Sequence, residues 1–265
     1  MSALPEDAVD FSSRMTLSRK EVLDSLSWDP ITEYVSKFTN SCFCVLEGGS
    51  GLGRYVHFLK TKGVPVVGVE ISRHIVLRSK CYFPTCEFVN ADVRHLPFKD
   101  HTFGMYLSLG VIEHFRTPSQ VMLEMKRVLK LGGFVVITVP NAFSFWPFVR
   151  KWLSKRDLWD IGSEKSYFPQ HLRLLMASFG FEVKELREIL ALSSLLRLFL
   201  FVLDILKGCR RGIKPLVLSS HMRIFPQRIS FPRIFALLVK ALDSFPILRK
   251  CGFLLLAVGE SKDML

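Results

Sequence analysis

The sequence predicts an α/β protein whose framework is a mostly parallel sheet with helices on both faces. From residue 42 onward, short runs rich in β-branched and aromatic residues alternate with helical patterns, which is typical of successive βαβ units. The chain has 265 residues, of which 49% are hydrophobic and 23% are charged. This composition supplies one core of ordinary domain size and excludes global disorder.

Seven strands are predicted from these runs, which make a complete open sheet. In chain order they are Phe43–Glu47, Val66–Glu70, Cys86–Asn90, Thr102–Leu107, Phe134–Val139, Glu182–Leu186 and Phe253–Val258. Helices are predicted at Ile31–Phe38, Gly53–Lys60, Arg73–Lys80, Pro118–Leu129 and Pro169–Phe179. Gly132 and Gly133 are expected to end the helix that begins at Pro118.

A change in composition near the C-terminus sets the domain organisation. Residues 189–250 interrupt the alternation before the last strand and carry 11 basic residues against two acidic ones. Nine of the twelve net positive charges therefore lie in this segment. We predict an N-terminal helical segment over residues 1–40, an α/β domain over 41–188 and 251–265, and a basic, amphipathic α-helical insertion over 189–250.

The insertion contains two stretches with basic stripes on otherwise apolar helices. At 100° per residue, Arg197, Lys207 and Arg211 share one side of the first, and Phe231–Leu248 shows a similar stripe. Such helices either pack on the sheet as a cap or bind an anionic membrane surface, and we favour membrane contact. A spanning helix is disfavoured because Arg197 and Asp204 would lie in hydrocarbon.

The cysteines and the N-terminal residues indicate the cellular compartment of the protein. The six cysteines form no CxxC pair, so neither a disulfide framework nor a metal site is predicted. The first residues lack the basic start and apolar stretch of a secretory signal, and no window of about 18 apolar residues is free of charge. The sequence predicts a cytoplasmic protein, with peripheral attachment to the cytoplasmic face of a membrane as a hypothesis.

A glycine-dense turn follows the first predicted strand. Gly49, Gly51 and Gly53 come directly after Glu47 and precede a helix. Glycines allow tight turns and close approach to a ligand, and the helix N-terminus offers free amide donors. The spacing fits neither the dinucleotide fingerprint GxGxxG nor a phosphate-binding loop, which requires Gly-Lys-Ser/Thr.

Acidic residues follow three successive strands. Glu47, Glu70 and Asp92 are expected to meet at the carboxyl edge of the sheet, where parallel sheets bind ligands. A carboxylate at Glu70 can accept both hydroxyl donors of a ribose, and Asp92 can accept from an adenine amino group. Each acid alone is typical of a solvated loop or a cap, but together they favour a nucleoside site.

In these motifs the chain resembles the class I S-adenosylmethionine-dependent methyltransferases, especially the small-molecule type similar to quinone-biosynthesis and related lipid methyltransferases. The matching segments are the ExGxGxG loop, Glu70, Asp92, Leu96–Gly104, Leu107–Phe115 and Arg127–Asn141. The resemblance implies a Rossmann-like fold and S-adenosylmethionine as cofactor. It further implies that Glu47 and the three loop glycines lie against the methionine part, that Glu70 holds the ribose and that Asp92 contacts the adenine.

Candidate catalytic residues follow the fourth strand. The resemblance places Glu113 and His114 beside the methyl group of the cofactor. His114 is our first choice for a general base, since the ordinary pKa of histidine is about 6.5. A structural role for His114 is the alternative. Asn141 is expected either to orient an acceptor or to form a turn, and residues 143–168 are a candidate lid.

The sequence therefore predicts methyl transfer from S-adenosylmethionine to a small hydrophobic or lipid-linked acceptor at an anionic membrane surface. Two alternatives remain open: an RNA or other nucleic-acid methyltransferase, which the net charge of +12 permits, and a catalytically inactive membrane scaffold that binds the cofactor. Gly104 stands where the family usually has an acid, and Leu131 where it usually has proline. The acceptor, the methylated atom and the oligomeric state are not predicted.

Overall fold

A seven-stranded sheet is the framework of the protein. The computed structural model describes residues 17–39, 44–155, 164–189 and 254–263. The strands are β1 (Val45–Gly48), β2 (Val66–Glu70), β3 (Glu87–Asn90), β4 (Phe103–Leu109), β5 (Leu129–Pro140), β6 (Phe181–Ile189) and β7 (Leu254–Ser261). Their order across the sheet is β3-β2-β1-β4-β5-β7-β6. All seven predicted strands are confirmed.

The strand directions confirm the mostly parallel sheet. β7 runs antiparallel to its neighbours β5 and β6, and the other neighbouring pairs are parallel. β1 pairs with β2 on one side and with β4 on the other, so the strand order reverses at this point. In an open parallel sheet, a crevice for ligands forms where the order reverses, outside the carboxyl ends of the strands.

Helices cover both faces of the sheet. They are α1 (Arg19–Asp24), α2 (Ile31–Phe38), α3 (Arg54–Thr61), α4 (Arg73–Tyr82), α5 (Ser119–Val128), α6 (Trp146–Ser154) and α7 (Pro169–Ser178). The five predicted helices are confirmed, with ends that shift by at most two residues. α6 was not predicted, and α1 lies within the predicted N-terminal helical segment, for which no separate helix bounds were given there. A capping box starts α1, because Ser18 accepts from the Glu21 N–H and the Glu21 carboxylate accepts from the Ser18 N–H.

The core lies in two layers because successive strand residues point to opposite faces. On one face, Val45 and Met105 pack with Val35 of α2 and Val56 of α3. On the other face, a separate cluster joins the sheet to α5 and α7; its members include Leu46, Tyr106, Ile137, Met122 and Met176. The sheet is therefore buried on both sides, which leaves its carboxyl edge as the place for a site.

The expectation that Gly132 and Gly133 end a helix is wrong. α5 ends at Val128, and β5 starts directly at Leu129, which pairs with Phe103. The two glycines lie inside β5, at a register shift between the pairs formed by Phe103 and Met105. A Cβ on Gly133 would lie 2.9 Å from the Lys130 carbonyl oxygen. The glycines therefore permit a bulge in the strand.

Part of the predicted organisation falls outside the described residues. This applies to the insertion at 189–250 apart from Ile189, which ends β6, and to both of its predicted amphipathic helices. The candidate lid is described up to residue 155 and again from residue 164. Among the residues that the structure describes, no helix has the length and apolar character needed to cross a membrane.

Candidate active site

The glycine loop connects β1 to α3 at the carboxyl edge. Gly49, Gly51 and Gly53 have positive φ angles of 71°, 51° and 76°, which only glycine adopts without strain. Space is also restricted. A Cβ on Gly49 would lie 2.6 Å from Val111 Cγ2, and a Cβ on Gly53 would lie 2.4 Å from Phe88 Cζ. The loop, called the cradle below, therefore packs too closely against Val111 and Phe88 to carry side chains at Gly49 and Gly53.

Glu47 is buried at the end of β1 and supports the start of the following helix. The Val56 N–H of α3 donates to Glu47 Oε2 at 3.1 Å. Burial raises the pKa of Glu47 to about 8, against the opposing effects of the Arg54 charge and the Val56 hydrogen bond; the charge of Glu70 raises it further. Glu47 therefore supports the glycine loop indirectly, through its hydrogen bond to the backbone of α3.

Glu70 closes the cradle from the end of β2. Its carboxylate is buried, and Oε2 accepts the Gly51 N–H at 3.1 Å while Oε1 accepts the Ser72 N–H at 2.9 Å. Ser72 is the N-cap of α4. A carboxylate oxygen can accept more than one hydrogen bond, which suits a carboxylate at this position to hydroxyl donors. The structure brings the predicted acid and the predicted loop into direct contact.

Asp92 follows β3, but its carboxylate is shared with a residue that the sequence analysis did not consider. Arg94 Nη2 lies 2.7 Å from Asp92 Oδ2, and the Arg94 N–H donates to Oδ1 at 2.9 Å. Burial pushes the pKa of Asp92 upward, but the hydrogen bonds and charge of Arg94 outweigh it, and the pKa is lowered. The Arg94 guanidinium also lies over the Phe115 ring, 5.8 Å from its centroid. Arg94 is therefore part of the same edge.

Glu113 and His114 lie on a short 3₁₀ helix, Ile112–His114, directly after β4. Glu113 is only 4% exposed, and no residue in the described ranges donates a hydrogen bond to its Oε2. Burial, followed by the charge of Glu164, raises the pKa of Glu113 well above its ordinary value. His114 is half-buried at the end of this helix.

The end of the candidate lid, residues 164–167, joins this site. The Lys165 N–H donates to the Glu113 carbonyl oxygen at 3.0 Å, and the Tyr167 N–H donates to the Pro140 carbonyl oxygen at 2.8 Å. These bonds bring Glu164 and Tyr167 alongside the ends of β4 and β5. Burial, then the charge of Glu113, raises the pKa of Tyr167 to about 12. Glu164 was missed because its segment has no helical or strand periodicity.

Aromatic side chains surround the end of β5. The Phe143 and Phe168 rings pack at a centroid distance of 5.1 Å, and Phe168 packs on His171 at 5.3 Å. Four phenylalanines at this end are exposed by 41% to 71%, namely Phe143, Phe145, Phe148 and Phe168. Asn141 is buried, and its Oδ1 accepts the Phe143 N–H at 3.0 Å, which supports the turn interpretation.

Comparisons with known proteins agree with this geometry. Residues 46–137 match a family model described as a methyltransferase domain. A probable S-adenosylmethionine-dependent methyltransferase of Mycolicibacterium smegmatis is 27% identical over 39% of this chain and 40% of its own length. Methyltransferase GfsG of Streptomyces halstedii is 31% identical over 43% of this chain and 47% of its own length. The chain thus spans less than half of these two relatives.

A solved methyltransferase structure has a fold similar to that of this chain. Phosphoethanolamine N-methyltransferase 2 of Haemonchus contortus, in complex with S-adenosylmethionine, superposes with a TM-score of 0.61 at 13% identity, over 98% of this chain and 61% of that one. The family match, the relatives and the shared sheet agree with the earlier resemblance, while the small-molecule subtype rests on the sequence alone. Residues 46–137 therefore carry a methyltransferase domain that is similar to the class I S-adenosylmethionine-dependent methyltransferases, whose cofactor is S-adenosylmethionine.

Proposed function

We propose that the protein transfers a methyl group from S-adenosylmethionine to a small hydrophobic or lipid-linked acceptor. The observation that carries this proposal is the contact between Glu70 and the Gly51 N–H, at 3.1 Å. It joins an acid suited to ribose hydroxyls to the cradle, in which Gly49 and Gly53 cannot be replaced by residues with side chains without overlap. The residues present therefore fit the cofactor.

Each predicted binding residue has a part in this proposal. The loop of Gly49, Gly51 and Gly53 lies against the methionine part, and Glu47 holds that loop through the Val56 N–H. Glu70 binds the ribose hydroxyls. Asp92 accepts the adenine amino group while Arg94 keeps its carboxylate ionised.

The methyl group that the cofactor supplies is bonded to a sulfonium, which is already a good leaving group. The protein therefore mainly has to align the acceptor and exclude water, and positioning of this kind reaches effective molarities on the order of 10⁵ M. We assign proton removal from the acceptor to His114, with Glu113 beside it on the same 3₁₀ helix.

The exposed phenylalanines at the end of β5 support an apolar acceptor. Phe148 is 71% exposed, and Phe143 and Phe168 pack on each other next to Tyr167 of the site. Exposed aromatic rings beside a polar site are suited to the body of a ligand whose reacting atom enters the site. The membrane contact of residues 189–250 remains a prediction from sequence.

Transfer of radiolabelled methyl to a fractionated lipid and metabolite extract tests the proposal. We expect label in an apolar fraction with the wild-type protein and loss of that label in Glu70→Gln. Glu87→Gln, an exposed change on β3, is the matched control. Label in RNA added to the extract would favour a nucleic-acid methyltransferase, and cofactor binding without any transfer would favour a scaffold. Either result contradicts the proposal.

Membrane contact is measured separately by co-sedimentation. We expect the full chain to sediment with vesicles containing phosphatidylglycerol more than with pure phosphatidylcholine vesicles, and expect added salt to weaken this binding. Equal sedimentation with both vesicle types at all salt concentrations would contradict contact with an anionic membrane. It would leave the proposed methyl transfer unaffected.

A further inference from the structure

Two acidic residues from separate segments lie close enough to interact electrostatically at the carboxyl edge of the sheet. Glu113 comes from the 3₁₀ helix after β4, and Glu164 comes from the segment before α7. The Lys165 N–H bond to the Glu113 carbonyl oxygen, at 3.0 Å, holds the two segments together. The Tyr167 N–H bond to Pro140 fixes the same segment to the end of β5. Backbone pairing thus sets this arrangement.

The two carboxyl groups are buried. Glu113 is 4% exposed, and the Glu164 side chain is 8% exposed. Arg150 reaches Glu164 at 3.9 Å between Nη1 and Oε2, the length of a weak ion pair. Glu113 Oε2 accepts no hydrogen bond from the part of the chain that the structure describes. A buried carboxyl oxygen without a donor is unfavourable, so a ligand that donates to it gains a corresponding advantage.

We propose that Glu113 and Glu164 form a subsite for the ammonium group of the acceptor, which is then an amine with an apolar body. This inference rests on the proposed methyl transfer and specifies its substrate class. An ammonium group presents N–H donors and a positive charge to the two carboxyl groups. The Tyr167 ring and the exposed phenylalanines supply aromatic faces for the cation and for the apolar body.

A hydroxyl or phosphate acceptor fits this subsite less well. A neutral hydroxyl offers one donor where an ammonium group offers up to three, and an ionised phosphate brings acceptor oxygens to a place where the carboxyl groups also present acceptors. For an amine bound at the carboxyl pair, the ammonium first gives one proton to His114, the base assigned above. The N–C bond then forms as the C–S bond breaks, and the sulfur keeps the electron pair. Overall, an ammonium and a sulfonium give a methylated ammonium, a thioether and one proton.

Calorimetry with two probes of equal chain length tests this subsite. The protein is first saturated with S-adenosylhomocysteine, and hexylamine or 1-hexanol is then titrated. We expect hexylamine to bind at least about tenfold more tightly than 1-hexanol. Glu113→Gln and Glu164→Gln should each weaken hexylamine binding about tenfold, with 1-hexanol and S-adenosylhomocysteine changed less than about twofold.

Glu182→Gln is the matched control, since Glu182 is an exposed glutamate on β6 that pairs with Lys184. It should leave all three affinities unchanged. Equal binding of the two probes, absent hexylamine binding, or hexylamine binding that neither glutamine variant weakens would overturn the ammonium subsite. These results would leave the proposed function standing if S-adenosylhomocysteine still binds, whereas loss of that binding in the wild type contradicts both.

Discussion

The Glu70 carboxylate accepts the backbone N–H of Gly51 at 3.1 Å, although the two residues lie 19 positions apart. The bond links the end of β2 to the loop after β1 and so fixes one side of the cradle. The second oxygen of Glu70 accepts the Ser72 N–H, which ties the same carboxylate to the start of α4. A single buried side chain therefore sets the relative position of three backbone segments around the proposed ribose site.

Gly53→Ala should reduce both stability and cofactor affinity. Gly53 has a φ angle of 76°, and its added Cβ would lie 2.4 Å from Phe88 Cζ. The backbone strain alone costs about 1 to 2 kcal/mol, and the overlap adds to it because the loop or Phe88 must shift. Urea unfolding and calorimetry with S-adenosylhomocysteine measure the two effects.

Gly63→Ala is the matched control for that change. Gly63 has a φ angle of 74°, but nothing lies within 4 Å of its added Cβ. We expect the strain penalty without the overlap, and unchanged cofactor affinity. If the two alanine variants lose the same stability and the same affinity, the close packing of the cradle has no role.

Glu47→Gln should change how stability depends on pH. Burial raises the pKa of Glu47 from its usual 4.5 to about 8. The unfolded chain therefore releases this proton first, and the contribution of Glu47 to stability is lost as pH rises from 4.5 to 8. This difference in pKa between the folded and the unfolded chain corresponds to at most about 5 kcal/mol in the free energy of unfolding.

Urea unfolding of both proteins at pH 5 and pH 8 measures this effect. Glutamine keeps an acceptor for the Val56 N–H and has no titrating proton, so the stability of Glu47→Gln should fall less than that of the wild type over this range. If the free energy of unfolding fell by the same amount in both proteins between pH 5 and pH 8, Glu47 would not keep its proton on folding.

His114→Gln should lower the rate of methyl transfer without loss of cofactor binding. A positioned general base contributes roughly 10² to 10⁴ in rate, so we expect kcat to fall by at least about a hundredfold. Single-turnover assays on the labelled extract fraction, together with S-adenosylhomocysteine titration, measure the two quantities. His74→Gln, on the exposed side of α4, is the control. An unchanged kcat would assign His114 a structural role only.

Much of the fold was predictable from local sequence because the elements nearest the site follow simple patterns. The predicted bounds of β2 and α2 agree with the structure at both ends. β2 is an apolar run ending in an acid, and α2 has helical spacing of its buried residues Ile31 and Val35. The three strand-end acids were likewise identified because their positions follow directly from the strand ends.

Features that depend on tertiary contacts were not predictable in this way. β5 begins five residues before its predicted start, because pairing of Leu129 with Phe103 outweighs the local helical pattern. The Arg94 contact with Asp92 and the approach of Glu164 to Glu113 depend on side-chain and backbone pairing between loops. No periodicity marks such residues, so only the folded chain brings them to the site.

Titration of the wild-type protein with S-adenosylhomocysteine, compared with Glu70→Gln and Glu87→Gln, tests the central claim most directly. The account predicts saturable binding with one site per chain, weakened at least about tenfold in Glu70→Gln and unchanged in Glu87→Gln. A folded wild-type protein that shows no affinity, or equal affinity in all three proteins, would contradict the assignment of this edge of the sheet as the cofactor site.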